Sequence, residues 1–353
     1  MSEQGSIIER DVRWPAEWEK QDAVWLSWPH RQDLWQGGLD ELQHIFTTVA
    51  STISQFAEVR INASRTLHVG IKAYLSQAKV TNYKLYDHPT NDVWCRDHGP
   101  IFLQNLKTGG LELADWQFNA WGGKFAPWDL DNKIPSCIAK SLQLPSRSSQ
   151  MILEGGAIEG NGEGLLITTE SVLLNPNRNP QMSKQDIESE IRRMMGVQSI
   201  FWLGNGIEGD DTDGHIDDMV RFVNRDTVVS IVGLDSSSPH YHTLAENNER
   251  LQDLRTCDGG KVEIVPLPMP APIVAQDWRL EQLPASYANF LIVNDGVVVP
   301  IFKQDKADDR ALGILRELFP RKKVVGVDAR KLVIEGGAIH CITQQQPQPI
   351  QTL

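Results

Sequence analysis

The chain has 353 residues, enough for one large or two ordinary domains, and its 41% hydrophobic content can bury a sizeable core, which argues against a disordered polypeptide. Its 46 acidic and 34 basic residues give a formal net charge of −12, and no block of Lys or Arg runs along the chain as a phosphate-binding stripe would require, so nucleic acid is not an expected partner. The N-terminal MSEQGSIIERDVRW lacks the basic-then-apolar order of a signal peptide, and no window approaches the roughly 20 apolar residues that span a bilayer; a cytoplasmic protein without membrane association is expected.

In chain order, residues 40–57 place Leu42, Ile45, Phe46, Val49, Ile53 and Phe56 on one helical stripe. Next comes NDVWCRDHGP, residues 91–100, read as a polar loop before the apolar start of a strand. EGGAI then occurs at 154–158 after the apolar MIL, and again at 335–339 after LVI, which reads as a duplicated supersecondary unit. A helix over 183–195 starts at Ser183 as its N-cap. Strands are predicted over 227–234, 261–268 and 290–302, the last folded back on a turn at Asn294, Asp295 and Gly296. A third helix, 306–319, stops before Pro320. Strands and helices interleave without a Pro/Ser/Gly-rich linker, so one α/β domain of repeated units over 1–353 is expected.

Three segments can carry chemistry. In residues 91–100, Asp92 and Asp97 could simply cap turns, but Trp94 beside them points to a cation pocket. A carboxylate meets a guanidinium through paired charge-assisted hydrogen bonds, and an aromatic face adds cation–π attraction of about 0.5–2 kcal/mol. Residues 204–218, GNGIEGDDTDGHIDD, contain a formal GxGxxG but run into an acidic loop, which excludes a dinucleotide fingerprint, and the spacing lacks the ligand order of a calcium loop. There His215 and Asp217 form an HxD pair that would share one face of an extended segment, though such a histidine is more often structural. Cys341 follows the second EGGAI at the expected end of an apolar strand, where its side chain can face a cleft. Of the four cysteines, 95, 137, 257 and 341, a buried filler role suits Cys137 and Cys257 better. A thiol of ordinary pKa about 8.5 needs nearby positive charge, which a bound guanidinium or a protonated His215 supplies.

WPAEWEKQDAVWLSWP (14–29), NDVWCRDHGP, FNAWGGK (118–124), LEGGAI, TDGHIDD (212–218), ASYANF (285–290) and GGAIHCITQQQP (336–347) together resemble the agmatine deiminase and bacterial-type peptidylarginine deiminase family across nearly the whole chain. The resemblance implies the pentein fold, a five-bladed α/β propeller of ββαβ-type units in a single domain. It implies Cys341 as nucleophile, His215 as general acid/base, Glu154 as the carboxylate that orients or charges it, and Asp97 and Asp217 as a guanidinium clamp. Trp94 matches an aromatic lining the substrate channel; Asp92 and Trp121 are further pocket candidates.

The implied reaction is hydrolysis of agmatine through a covalent thiouronium, without cofactor or metal, on a small cationic guanidine. Peptidylarginine or free arginine is the alternative substrate. Three departures bear on substrate identity: Glu335 and Ala338 stand in a block that is often GGGN, His98 replaces a small hydroxyl residue, and Asp218 stands where asparagine is common. An amidinotransferase and a non-catalytic binding module of the same fold are the rival readings, and a homo-oligomer is left open.

Overall fold

In the computed structural model, which describes residues 10–35, 38–207, 209–233, 238–273 and 283–350, the chain forms five small sheets. Each follows one plan: an antiparallel strand pair, a helix, then a third strand parallel to the second. A parallel return cannot be made by a tight turn, and the intervening helix is the crossover it requires.

The second blade joins Ile101–Asn105, Leu111–Gln117 and Ser146–Ile152. The third joins Ile158–Gly160, Leu165–Thr169 and Ser199–Leu203, the fourth Val220–Asn224, Thr227–Val232 and Glu263–Pro268, and the fifth Leu291–Val293, Gly296–Ile301 and Lys323–Asp328. The first blade is built from both ends of the chain: Gln344–Pro347 pairs antiparallel with Gln21–Ser27, which pairs parallel with Glu58–Ala63. The C-terminal strand thus closes the ring, and the five-bladed α/β propeller expected from the resemblance is the fold found.

Sequence chemistry accounts for the individual pieces. The Leu39–Ile53 helix buries Leu42, Phe46, Val49 and Ile53 on one face and ends short of Phe56, which still packs against the core. The Lys184–Met195 helix is opened by Ser183, whose hydroxyl accepts from Asp186 N while the Asp186 carboxylate caps the Ser183 N–H. At the fifth-blade hairpin, Asn294 takes a φ of 45°, and its amide bonds Gln21 and Phe56, tying that blade to the first.

Some expectations shift. The third helix is Asp305–Leu318, and the predicted strands shorten to the bounds above. Leu234, Glu208 and residues 1–9 lie outside the described residues. The LVI before the second EGGAI is not a strand: Arg330–Val333 is a helical turn, so Cys341 lies in the tight turns before the closing strand. Cys257 is exposed and Cys137 half-buried, whereas Cys95 is the buried filler, its thiol pushed up to about 12 by burial. Among the described residues no helix is long and apolar enough to cross a membrane.

Candidate active site

The segments that enter the first strand of each blade meet at one place. Residues 91–100 lead into the second blade, 154–157 into the third, 204–219 into the fourth, 283–290 into the fifth, and 335–343 into the closing strand of the first. They bring Asp97, Glu154, His215 with Asp217, Asn289, and Cys341 together although the chain separates Asp97 and Cys341 by most of its length. A ring closed by Gln344–Pro347 thereby positions the cysteine three residues before that strand.

Cys341 lines a small slot together with Leu34, Trp35, Asp92, Trp94, Asp97, Trp121, Phe125, Asp211, Thr212, Glu335 and Gly336, in which the centre of a water-sized sphere can occupy about 40 Å³. The predicted Trp94, Asp92, Asp97 and Trp121 therefore all face it. Trp35 and Phe125 complete the aromatic wall, with ring centroids of Trp35 and Trp94 5.9 Å apart and of Trp121 and Phe125 5.6 Å apart. Nothing in a lone Trp35 or Phe125 marked it in the sequence.

Trp121 reaches the slot through a left-handed turn. Ala120 and Trp121 have φ of 50° and 56°, a conformation costing about 1–2 kcal/mol per residue, and Gly122 and Gly123 continue it. A Cβ at Gly122 would lie 2.4 Å from Asn177 Nδ2. The turn directs the indole Nε1 to donate to Asp97 Oδ2 at 3.1 Å, while Asp97 Oδ1 accepts from Gly156 N at 3.0 Å. Burial, opposed by the His215 imidazole, raises the Asp97 carboxyl to about 6.

His215 lies 3.7 Å from Asp97 Oδ1 through Nδ1, and its Nε2 makes no hydrogen bond within the protein. Burial alone would lower its pKa; the carboxylates of Asp97, Asp217 and Glu154 outweigh burial and raise it. The expectation of an extended HxD segment fails, because His215 is the residue before the short helical turn Ile216–Asp218. The turn sends Asp217 inward, where Oδ2 bonds His340 Nδ1 at 2.6 Å and Oδ1 finds no protein partner. Asp217 is held below the usual carboxylate range, burial opposing and the His340 bond and charge prevailing.

Glu154 is bonded differently from the expectation. Its Oε1 accepts from Arg178 Nε at 2.6 Å rather than from His215, and its Oε2 has no hydrogen-bond partner. Its influence on the imidazole is electrostatic. The guanidinium beside it explains this: Arg178 is also fixed by Asp213 Oδ2 and the Thr212 carbonyl, so it claims the carboxylate.

The two EGGAI repeats play matching parts. A Cβ on Gly156 would sit 2.5 Å from His215 Nδ1 and 2.8 Å from Asp97 Oδ1; a Cβ on Gly337 would sit 2.4 Å from Trp94 Cζ3 and 3.0 Å from Cys341 Cβ. In each repeat the second glycine lets a site side chain lie directly on the backbone.

Behind the slot runs a buried charge network that sequence reasoning missed. His340 Nε2 bonds Glu17 Oε2 at 2.8 Å, and Arg221 joins Glu17 and Glu159, both at 2.9 Å. Glu17 and His340 stood within recognised strings and Glu159 and Arg221 did not, and only the fold joins Glu17 to a histidine 323 positions away. Asp217, Asp218 and Cys341 each offer an atom within 4.8 Å of the others. The Cys341 thiol is pushed well above its ordinary value, by burial first and then by Asp217, Asp218 and Asp97.

His98 does not reach the slot. It is buried beside Ser27, Nε2 to Oγ 2.8 Å, and burial lowers it to about 3, so it serves as a neutral structural ring.

The family model for Porphyromonas-type peptidyl-arginine deiminase matches residues 13–347. An agmatine deiminase of Medicago truncatula is 37% identical over 94% of this chain and 96% of its own length, and one of Stutzerimonas stutzeri is 38% identical over 95% of both. The solved agmatine deiminase of Enterococcus faecalis is 34% identical, with a TM-score of 0.90 over 96% of this chain and 97% of its own. Full-length agreement in sequence and fold places the chain in the Porphyromonas-type peptidyl-arginine deiminase family.

Proposed function

We propose that the chain is a deiminase that hydrolyses agmatine to N-carbamoylputrescine and ammonia through a covalent thiouronium on Cys341. The observation that carries this reading is the make-up of the slot: four carboxylates (Asp92, Asp97, Asp211, Glu335) and four aromatic rings line it, with no Lys, Arg or His among its described lining. Such a slot suits a dication. Agmatine carries a positive charge at each end, whereas the carboxylate of free arginine would meet like charge.

In the reaction, Asp97 and Asp217 hold the planar guanidinium while the Cys341 thiolate adds to its central carbon. The unsatisfied Asp217 Oδ1 and the low pKa of that carboxyl support its place in the clamp. His215, charged through its carboxylate neighbours, passes its proton to the departing nitrogen, and ammonia leaves. Neutral His215 then takes a proton from water, whose oxygen attacks the thiouronium carbon and expels the thiolate, giving the ureido product. The entering cation also offsets the carboxylates that hold the thiol protonated.

We further assign residues 1–353 to one domain acting in the cytoplasm on a small molecule rather than nucleic acid, a reading supported by four free cysteines and the −12 charge. The test is to incubate the protein with agmatine, arginine, methylated arginines and an arginine peptide, and to follow ammonia and ureido product. Release from agmatine above all others is expected; release from none of them overturns the deiminase reading, and ammonia release only with peptide moves the substrate.

A further inference from the structure

Asp217, Asp218 and Cys341 converge from two segments, the helical turn that enters the fourth blade and the turns before the closing strand. All three are buried, and each offers a donor atom within 4.8 Å of those of the other two. An acidic cluster alone would attract any cation. This one adds a sulfur, and it holds a fully buried carboxylate oxygen, Asp217 Oδ1, that no protein group satisfies. Such an oxygen costs free energy until a cation or a donor meets it.

The outer contacts hold these side chains in place. Asp217 Oδ2 is bonded by His340 Nδ1 at 2.6 Å, and His340 Nε2 is itself fixed by Glu17 at 2.8 Å. Asn289 Nδ2 lies 3.0 Å from Asp218 Oδ1 and 3.0 Å from Cys341 Sγ, tying that carboxylate to the sulfur. Outer partners of this kind orient the carboxylates that ligate a metal. Around a tetrahedral Zn²⁺ with bonds of about 2.0–2.3 Å, ligand atoms stand about 3.4–3.6 Å apart, so the three groups need to close by at most about 1.4 Å. Cys341 also lines the slot, which supplies a way in and room for a water as fourth ligand. A sulfur with two carboxylates selects a borderline-soft dication. Mg²⁺ and Ca²⁺ take about six or more oxygen ligands, and their retained waters do not fit a space of about 40 Å³.

We propose that Asp217, Asp218 and Cys341 form an inhibitory site for Zn²⁺, occupied in place of the guanidinium of the substrate. The inhibition rests on the deiminase reading, in which Cys341 attacks and Asp217 clamps; the binding itself does not. On coordination the S–H bond breaks, its electron pair forms the Zn–S bond and the proton passes to solvent, with no change of oxidation state. The sulfur pair that would attack the guanidinium carbon is then engaged, and Asp217 is closed to the substrate. Asp218 is the ligand that serves the ion and has no assigned part in the hydrolysis.

The experiment uses the full-length protein stripped of metal by a chelator. Binding is read without turnover in two ways: Co²⁺ titration followed by sulfur-to-cobalt charge-transfer absorption, and Zn²⁺ protection of Cys341 from iodoacetamide, resolved from Cys137 and Cys257 by peptide mass spectrometry. The cobalt band should vanish in Cys341→Ala and persist in Cys257→Ala. In Asp218→Asn and Asp218→Ala, each checked for folding by thermal melting, Zn²⁺ protection should weaken by about tenfold or more. Agmatine hydrolysis should be inhibited by Zn²⁺ competitively with agmatine and be untouched by a large excess of Mg²⁺. Unchanged protection in the folded Asp218 variants, a cobalt band that survives Cys341→Ala, or inhibition that agmatine does not relieve overturns the proposal. Zn²⁺ protection of Cys341 in a metal-free protein that hydrolyses no guanidine would instead sink the deiminase reading and leave the metal site standing.

Discussion

Adding a single methyl group at Gly156 should disable the chemistry while leaving most of the fold in place. Its Cβ would lie 2.5 Å from His215 Nδ1, 0.9 Å inside the 3.4 Å at which ordinary contact begins, and 2.8 Å from Asp97 Oδ1. Both neighbours are buried, so the imidazole and the carboxylate must shift by several tenths of an ångström to about 1 Å. Displacement on that scale costs about a hundredfold in rate, whereas overpacking a core position costs about 1–3 kcal/mol of stability. Backbone strain does not confuse the result, since Gly156 is outside the positive-φ set. Gly337→Ala is the companion: its φ is likewise unexceptional, but its Cβ meets Trp94 at 2.4 Å and Cys341 Cβ at 3.0 Å, so KM for the cationic substrate should rise along with a loss in kcat. Steady-state kinetics with agmatine and thermal melting of both variants are the assay. Folded Gly156→Ala with kcat within threefold or so of the unsubstituted protein would refute the placement of His215 and Asp97 at the reacting centre.

Cys341→Ala should abolish turnover, and exposed Cys257→Ala and half-buried Cys137→Ala should retain it; equal losses in all three, by ammonia assay, would point to damage to the fold. Because Asp97 titrates at about 6, kcat/KM should fall more steeply with acid below about pH 6, where a second proton must be removed, than above it. Stability should not follow that limb through this residue: its folded pKa exceeds the usual 3.8, so protonation between those values favours the fold, and melting at pH 5 and 7 in Asp97→Asn and the unsubstituted protein separates the two effects. Arg221→Met leaves Glu159 buried without its cation and Glu17 with only His340 and the longer Arg96 contact, and should cost about 3–5 kcal/mol, read by denaturant unfolding; a neutral result would mean the network rearranges without it.

Much of this was legible because the signals are local. Ser183 and Asp186 are three residues apart, and the apolar stripe of Leu39–Ile53 is a matter of spacing, so both helices could be read directly. The EGGAI repeat announced duplication, yet only two of the five units carry it, since the glycine is needed only where a site side chain rests on the backbone. The same string misled at LVI, where apolar residues fit a buried helical turn as well as a strand. Site residues came through their motifs and the family resemblance. Asn289, Trp35 and the bond between Glu154 and Arg178 did not, because each depends on contacts that exist only once the ring is closed.

The most direct measurement is to mix the protein with excess agmatine, quench with acid within the first turnovers, and map the covalent mass by tandem spectrometry. An amidino adduct on the sulfur of Cys341, decaying as ureido product forms and missing from Cys341→Ala, is the predicted result. Steady release of product with no adduct on that cysteine, or with the adduct on another residue, would contradict it.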